Sequence, residues 1–239
     1  MNKIPLLMVP GTLNNARVWQ VQADAFANAA AIHVADISTQ ESTAAMADDA
    51  LRAVPGRFAL AGFSLGGYVA LEIMRRAPGR VAGLCLLSTS ARAETEEAKP
   101  GRRKSIELAR RDFARLIANM RPFMLSPANL ANRALNAALD RMMNEVGAEA
   151  FARQSRAVIG RAESRDLLAA IRCPTIVACG RDDQVTPLRL SEEMAAAIPG
   201  ARLEVLDNAG HMATFESPDR VTQLMAQWLD SIEGWGARA

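Results

Sequence analysis

The 239-residue chain predicts an α/β fold: a mostly parallel sheet of about six strands flanked by helices, with one all-helical insertion. Three observations point to it. Short apolar runs alternate with longer stretches of helical periodicity. Most of these runs are nearly continuous in apolar residues, as strands covered on both faces must be. Between about residues 91 and 164 the alternation stops and no strand-like run occurs.

Taken in order, the strand-like runs are 4–9, 32–36, 58–63, 81–88, 175–179 and 202–206. Helical stretches fall between or after them at 18–29, 42–54, 65–76, 188–197 and 218–232. Strand, helix, strand in this sequence implies crossover connections and hence parallel pairing. The first run begins behind Met1-Asn2-Lys3, which superficially resembles a secretion signal. One positive charge, a short apolar run and Pro5 and Pro10 make it a first strand instead.

The insertion reads as helices at 100–120, 127–146 and 148–160, punctuated by Pro100, Pro122, Pro127 and Gly147. The expected organisation is a core of residues 1–90 and 166–239 with a helical cap over 91–165. Between Arg92 and Arg165 there are fifteen Lys and Arg against nine Asp and Glu. That +6 is either a solvated Arg-rich helical surface or a rim that attracts anionic substrates.

Composition excludes several function classes. A net charge of +2 gives no global pull toward nucleic acid or membrane. One Tyr and three Trp are too few for base-stacking platforms. No run is long enough to span a bilayer. Cys85, Cys173 and Cys179 are odd in number and form no CxxC pair, so they read as reduced thiols of a cytoplasmic protein. None sits at a turn with a base nearby, which argues against a catalytic cysteine. Two distant histidines with no clustered Cys or Glu argue against a metal, and no phosphate loop is present. No cofactor is expected.

The chemistry concentrates at three places. Gly62-Phe63-Ser64-Leu65-Gly66-Gly67 follows a predicted strand and opens a predicted helix. A serine there sits on a sharp turn above the sheet, with glycines removing the side chains that would clash. A serine hydroxyl needs a base to become nucleophilic. Of the two histidines, His33 lies inside a strand, whereas His211 lies in a loop after the last strand. That loop is at the carboxyl edge of the sheet, where such sites form. The imidazole needs a carboxylate partner, and the loop after run 175–179 offers Asp182 and Asp183.

Along nearly its whole length the chain resembles the α/β-hydrolase family. Gly180 to Pro187 is similar to that family's GxxDxxxP acid loop, which selects Asp183 and leaves Asp182 capping or solvated. Gly210-His211 through Glu216 and Pro218 resembles its GHxxxxExP signature. The resemblance implies a catalytic triad of Ser64, Asp183 and His211. It also implies an oxyanion hole from the backbone N–H of Leu65 and of Thr12, with Leu13 as the fallback. Relatives often carry a histidine before Gly11 and a PGxGxS turn after the second strand. Here the chain has Pro10 and Asp36-Ile37-Ser38-Thr39-Gln40-Glu41-Ser42, a departure that reshapes loops beside the site.

Serine rather than aspartate at the elbow argues against epoxide hydrolases and haloalkane dehalogenases of this fold. Met212 after the histidine, where carbon–carbon bond hydrolases often have tryptophan, weakens that alternative. The expected reaction is hydrolysis of an ester, thioester, lactone or amide of a small apolar substrate through an acyl-enzyme on Ser64. Acyl-homoserine signal hydrolysis fits the same machinery, and a triad-bearing sensor with little turnover is the competing non-enzymatic class. The substrate is expected to touch Leu13, Phe123, Met142, Met143 and Met212. The expected partner is a small ester-like molecule, with neither nucleic acid nor membrane, and the sequence leaves the oligomeric state open.

Overall fold

The computed structural model describes residues 4–235; residues 1–3 and 236–239 of the expected core lie outside them. In chain order the elements are β1 (Leu6–Val9), α1 (Gln20–Phe26), β2 (Ile32–Val34), α2 (Thr43–Ala53), β3 (Phe58–Phe63) and α3 (Leu65–Arg76). There follow β4 (Val81–Leu87), α4 (Lys99–Arg111), α5 (Phe113–Met124), α6 (Arg133–Ile159) and α7 (Arg165–Leu168). The chain closes with β5 (Thr175–Gly180), α8 (Leu188–Ala197), β6 (Arg202–Leu206), α9 (Ala213–Glu216) and α10 (Pro218–Asp230).

The six strands form one parallel sheet in the order β2-β1-β3-β4-β5-β6. Strand alternation divides the core into two layers. Leu6 and Met8 of β1, with Ala59, Ala61 and Phe63 of β3, face one layer. Val221, Leu224 and Trp228 of α10 cover that face. Leu7, Val9, Phe58 and Leu60 face the other, against Met46 of α2, Val69 and Ile73 of α3 and Met194 of α8. Each fully buried leucine or phenylalanine contributes about 1.5–3 kcal/mol, which is why the near-continuous apolar runs become the central strands.

The order reverses beside β1: β2 lies on one side and β3 on the other. Parallel sheets leave a crevice at such a point, outside the carboxyl ends of the strands. Ser64 directly follows β3, so the topology delivers it to that crevice.

The insertion differs in detail from the expected helices. The stretch expected as one helix at 100–120 is α4 and α5, separated at Asp112, whose φ of −155° and ψ of 82° are not helical. The Asp112 carboxylate accepts from the Arg115 N–H at 3.0 Å, so an N-cap starts a new helix there. Pro122 does not break α5 but sits in its last stretch. The helix expected from 127 starts only at Arg133, capped by Asn132, whose side chain accepts from Leu135 N–H at 3.1 Å. Gly147, with φ 83°, kinks α6 where a boundary was expected. Leu116, Ile117, Leu139, Met142, Met143 and Phe151 join the insertion to the first core layer.

Candidate active site

The elbow is built by close packing. Ser64 has φ 53° and ψ −115°, a conformation that L-residues adopt only under constraint. A Cβ on Gly62 would stand 2.4 Å from the Gly66 carbonyl oxygen, and one on Gly66 would stand 2.1 Å from that of Val9. Only glycine permits this approach of β3, α3 and β1. The serine's own backbone is satisfied: its N–H donates to Leu87 O at 3.0 Å, and its carbonyl accepts from Thr89 Oγ1 at 2.8 Å.

His211 Nε2 lies 2.9 Å from Ser64 Oγ. On the other side of the ring, Nδ1 lies 2.9 Å from Asp183 Oδ2 and 3.1 Å from Oδ1. All three residues are buried. The Asp183 carboxylate also accepts from the N–H groups of Val185 at 2.9 Å and Thr186 at 2.8 Å, and from Thr186 Oγ1 at 2.8 Å. Burial alone would raise its pKa. The His211 cation, its hydrogen bond and those from Thr186 outweigh that and hold the carboxyl below its ordinary range. An ionised Asp183 keeps the proton on Nδ1, so Nε2 is free to accept from Ser64. Asp182 lies outside this chain of bonds: among the described residues its one hydrogen bond is from its N–H to Ala209 O at 3.0 Å.

The histidine loop is clamped from below and above. Glu216 accepts from Gly210 N–H at 2.8 Å, and its other oxygen accepts from Ser126 N–H at 2.7 Å. Met212 N–H donates to Met124 O of α5 at 3.0 Å. Phe63 packs on the imidazole with ring centroids 5.2 Å apart.

Among the described residues, neither Thr12 N–H nor Leu65 N–H has a hydrogen-bond partner. Leu13 N–H does: it donates to Gln154 Oε1 of α6 at 2.9 Å. That commitment removes Leu13 as an oxyanion donor. Gln154 Nε2 donates in turn to Ile37 O at 3.3 Å, and Arg153 Nε to Ser38 O at 2.8 Å. Two α6 side chains thus brace the loop after β2 that departs from the family turn, and one of them also holds the loop bearing Thr12. No spacing in the sequence signals this, because the partners lie more than 100 positions apart.

Above Ser64 lies a cavity of about 200 Å³. Thr12, Met212, Met120, Met124, Phe151 and Val158 line it, with Asn14, Tyr68, Arg102 and Ser155 adding polar groups. Asn14 is buried, and neither polar atom of its side chain has a partner. The substrate contacts expected from sequence are corrected in four places. Phe123 is 54% exposed, because the inward stripe of α5 runs through Leu116, Ile117, Met120 and Met124 instead. Met142 and Met143 are consumed by packing within the core. Leu13 is fully buried beneath the loop. The helical spacing of Met120 and Met124 was the available signal; that α5 presents this pair to Ser64 required the packed structure.

Other features carry no catalytic group. His33 sits in edge strand β2 opposite Leu7. The three cysteines are unbridged, and burial first, then Asp183, pushes the Cys179 thiol up to about 12. An open depression of about 590 Å³ around Arg57, Pro78 and Pro174 lies at the amino ends of the strands, away from Ser64. Among the described residues there is no cluster of three or more metal-ligating side chains, and no helix long and apolar enough to cross a membrane.

Comparison with known proteins agrees with this architecture. Residues 6–224 match the model of the alpha/beta hydrolase family. A pimeloyl-[acyl-carrier protein] methyl ester esterase of Neisseria meningitidis is 29% identical over 197 residues, covering 80% of this chain and 75% of the relative. A 3-oxoadipate enol-lactonase of Acinetobacter baylyi is 27% identical, covering 72% and 64% of the two chains. A thermophilic esterase from Thermogutta terrifontis, solved with malate bound, superposes with a TM-score of 0.88 at 29% identity, covering 96% of this chain and 90% of that one. The chain belongs to the alpha/beta hydrolase family, and it is a hydrolase.

Two outcomes test the geometry. Asp183→Asn is expected to lower kcat by about 10⁴-fold, as loss of the orienting carboxylate does elsewhere, whereas Asp182→Asn leaves it within a few-fold; the reverse order would identify Asp182 as the acid. Gln154→Ala leaves the Leu13 N–H buried and unpaired, a loss of about 1–3 kcal/mol in thermal or denaturant unfolding. It should also lower kcat more than it raises KM, because it loosens the loop that carries Thr12.

Proposed function

We propose that this protein hydrolyses carboxylic esters of small substrates through an acyl-enzyme on Ser64. The observation that carries the reading is the continuous chain from Ser64 Oγ to His211 Nε2 at 2.9 Å and from Nδ1 to the buried Asp183 at 2.9 Å, at the floor of a cavity. The named relatives act on a methyl ester and an enol-lactone, which supports an ester bond as the target.

The mechanism follows from the groups present. His211 removes the Ser64 proton as Oγ attacks the carbonyl carbon. The tetrahedral oxyanion accepts from the N–H groups of Thr12 and Leu65, which have nothing else to bond. The imidazolium, held by ionised Asp183, returns its proton to the departing alcohol as the ester C–O bond breaks. Water then attacks the acyl carbon with His211 again as base, and the carboxylic acid leaves. The helices 99–159 act as a cap: Met120, Met124, Phe151 and Val158 bring apolar side chains over the nucleophile.

Ser64→Ala should lower kcat on a short p-nitrophenyl ester by about 10⁴–10⁶-fold with the fold intact by circular dichroism. Retention of a tenth of wild-type turnover would sink the reading, and binding without multiple turnovers by the wild type would mark a sensor. Asp183 is held ionised, and a histidine acts as a base only in its neutral form. The kcat/KM of the wild type should therefore rise across the neutral range, and a flat profile from about pH 5 to pH 8 would exclude a histidine base.

Cavity size limits the acyl chain. At about 30 Å³ per water-sized group, some 200 Å³ holds roughly seven such groups. Each buried methylene contributes about 0.8 kcal/mol, or roughly fourfold in kcat/KM, until the space is full. Across esters of two to twelve acyl carbons the rate should peak near about six carbons, by the same volume argument. Met120→Ala and Met124→Ala should move the peak to longer chains. An unchanged optimum in both would separate the insertion from substrate choice.

A further inference from the structure

The apolar wall does not account for the whole cavity. Tyr68, Arg102, Ser105 and Ser155 also line it, and among the described residues none of them is hydrogen-bonded to Ser64, His211 or Asp183. Tyr68 and Arg102 are joined through a half-buried ion cluster. Glu94 accepts from Arg102 Nε and from Arg161 Nη1, the latter at 3.1 Å. The Arg161 guanidinium in turn stacks on the Tyr68 ring, 4.4 Å from its centroid. Two guanidinium groups share one carboxylate, so the cluster carries one net positive charge at the cavity wall.

The residues that carry the unused donors all line the cavity. Glu94 occupies Arg102 only at Nε, so among the described residues both terminal nitrogens of its fork are without a partner. The Tyr68 hydroxyl has no hydrogen-bond partner among the described residues either. Burial, above all, pushes its pKa up, so it remains a protonated donor. The Ser155 hydroxyl is likewise uncommitted, whereas Ser105 spends its proton on Gly101 O at 3.1 Å. An apolar cavity that needed to exclude charge has no reason to hold a half-neutralised Arg fork and a free phenol.

Resting on the esterase reading, we propose that the preferred substrate is an ester that also carries a carboxylate, bound by the free end of the Arg102 fork and by Tyr68. A planar guanidinium matches a carboxylate through two parallel hydrogen bonds, and such charge-assisted pairs are the strong ones. Ser155 is the further donor within the same cavity. The small cavity volume places the carboxylate a short chain away from the scissile carbonyl. This also gives part of the basic insertion a purpose. Arg121, Arg156 and Arg165 pair on the surface with Asp140, Glu41 and Glu163, while Arg102 lines the cavity.

The test compares monomethyl adipate with methyl hexanoate, which have the same chain length and differ in one terminal carboxylate. The readout is the ratio of their kcat/KM values within each enzyme. Wild type is expected to favour the acid, and the preference should weaken with added salt because the Arg102 side chain is 38% exposed. Arg102→Leu should reduce the ratio at least about tenfold, chiefly through KM for the acid, as removal of a charge-assisted contact does. The variant keeps its fold, because Glu94 retains Arg161 at 3.1 Å. Tyr68→Phe, which removes one oxygen and keeps the ring under Arg161, should reduce the ratio several-fold. If wild type hydrolyses methyl hexanoate but discriminates against monomethyl adipate, or if neither substitution moves the ratio, Arg102 is only Glu94's structural partner and this inference falls alone. If neither ester is turned over, the esterase reading falls and takes the inference with it.

Discussion

The site depends on one constrained residue. Ser64 holds φ 53° because β3 enters a turn tight enough that a Cβ on Gly62 or Gly66 would strike carbonyl oxygens. Such a conformation costs about 1–3 kcal/mol and survives only when its surroundings over-determine it. Those surroundings are visible: Leu87 O and Thr89 Oγ1 bond the serine's backbone, and both lie at the end of β4, the adjacent strand. The strained turn brings the hydroxyl to 2.9 Å from His211 Nε2 and leaves the N–H of Leu65, the next residue, without a partner among the described residues. The proposed nucleophile and one proposed oxyanion donor are therefore products of a single backbone turn.

The other parts of the site are held by long-range contacts with the insertion. Gln154 of α6 takes the Leu13 N–H and leaves Thr12 N–H free. Met124 of α5 bonds the residue after His211. Glu216 links the histidine loop to Ser126, just beyond α5. The insertion is thus fastened both to the loop after β1 and to the histidine loop.

What the sequence revealed follows from where the information resides. The six strands were legible because burial on both faces leaves continuous apolar runs. Ser64, Asp183 and His211 were legible because each sits in a short local motif whose spacing is set by one turn. Thr12 was implied by the family resemblance of the loop after β1, and its N–H is without a partner among the described residues. Phe123, Met142 and Met143 misled because helical periodicity identifies an inward stripe only when the partner surface is known; Phe123 points to solvent, and the two methionines are used up in packing. Gln154 and the Glu94–Arg161 pair left no local trace, since their partners lie 141 and 67 positions away. The +6 charge of residues 92–165 was visible as a total, but only the pairing pattern separates surface cations from the one that faces the cavity.

The central claim is that Ser64 alone is activated, and by His211. A fluorophosphonate, which reacts with activated serines, tests it directly when adducts are read by peptide mass spectrometry. The account predicts one adduct per chain, on Ser64, absent from Ser64→Ala and formed far more slowly in His211→Ala. An adduct on another residue, or equally rapid labelling of the His211→Ala variant, would contradict it.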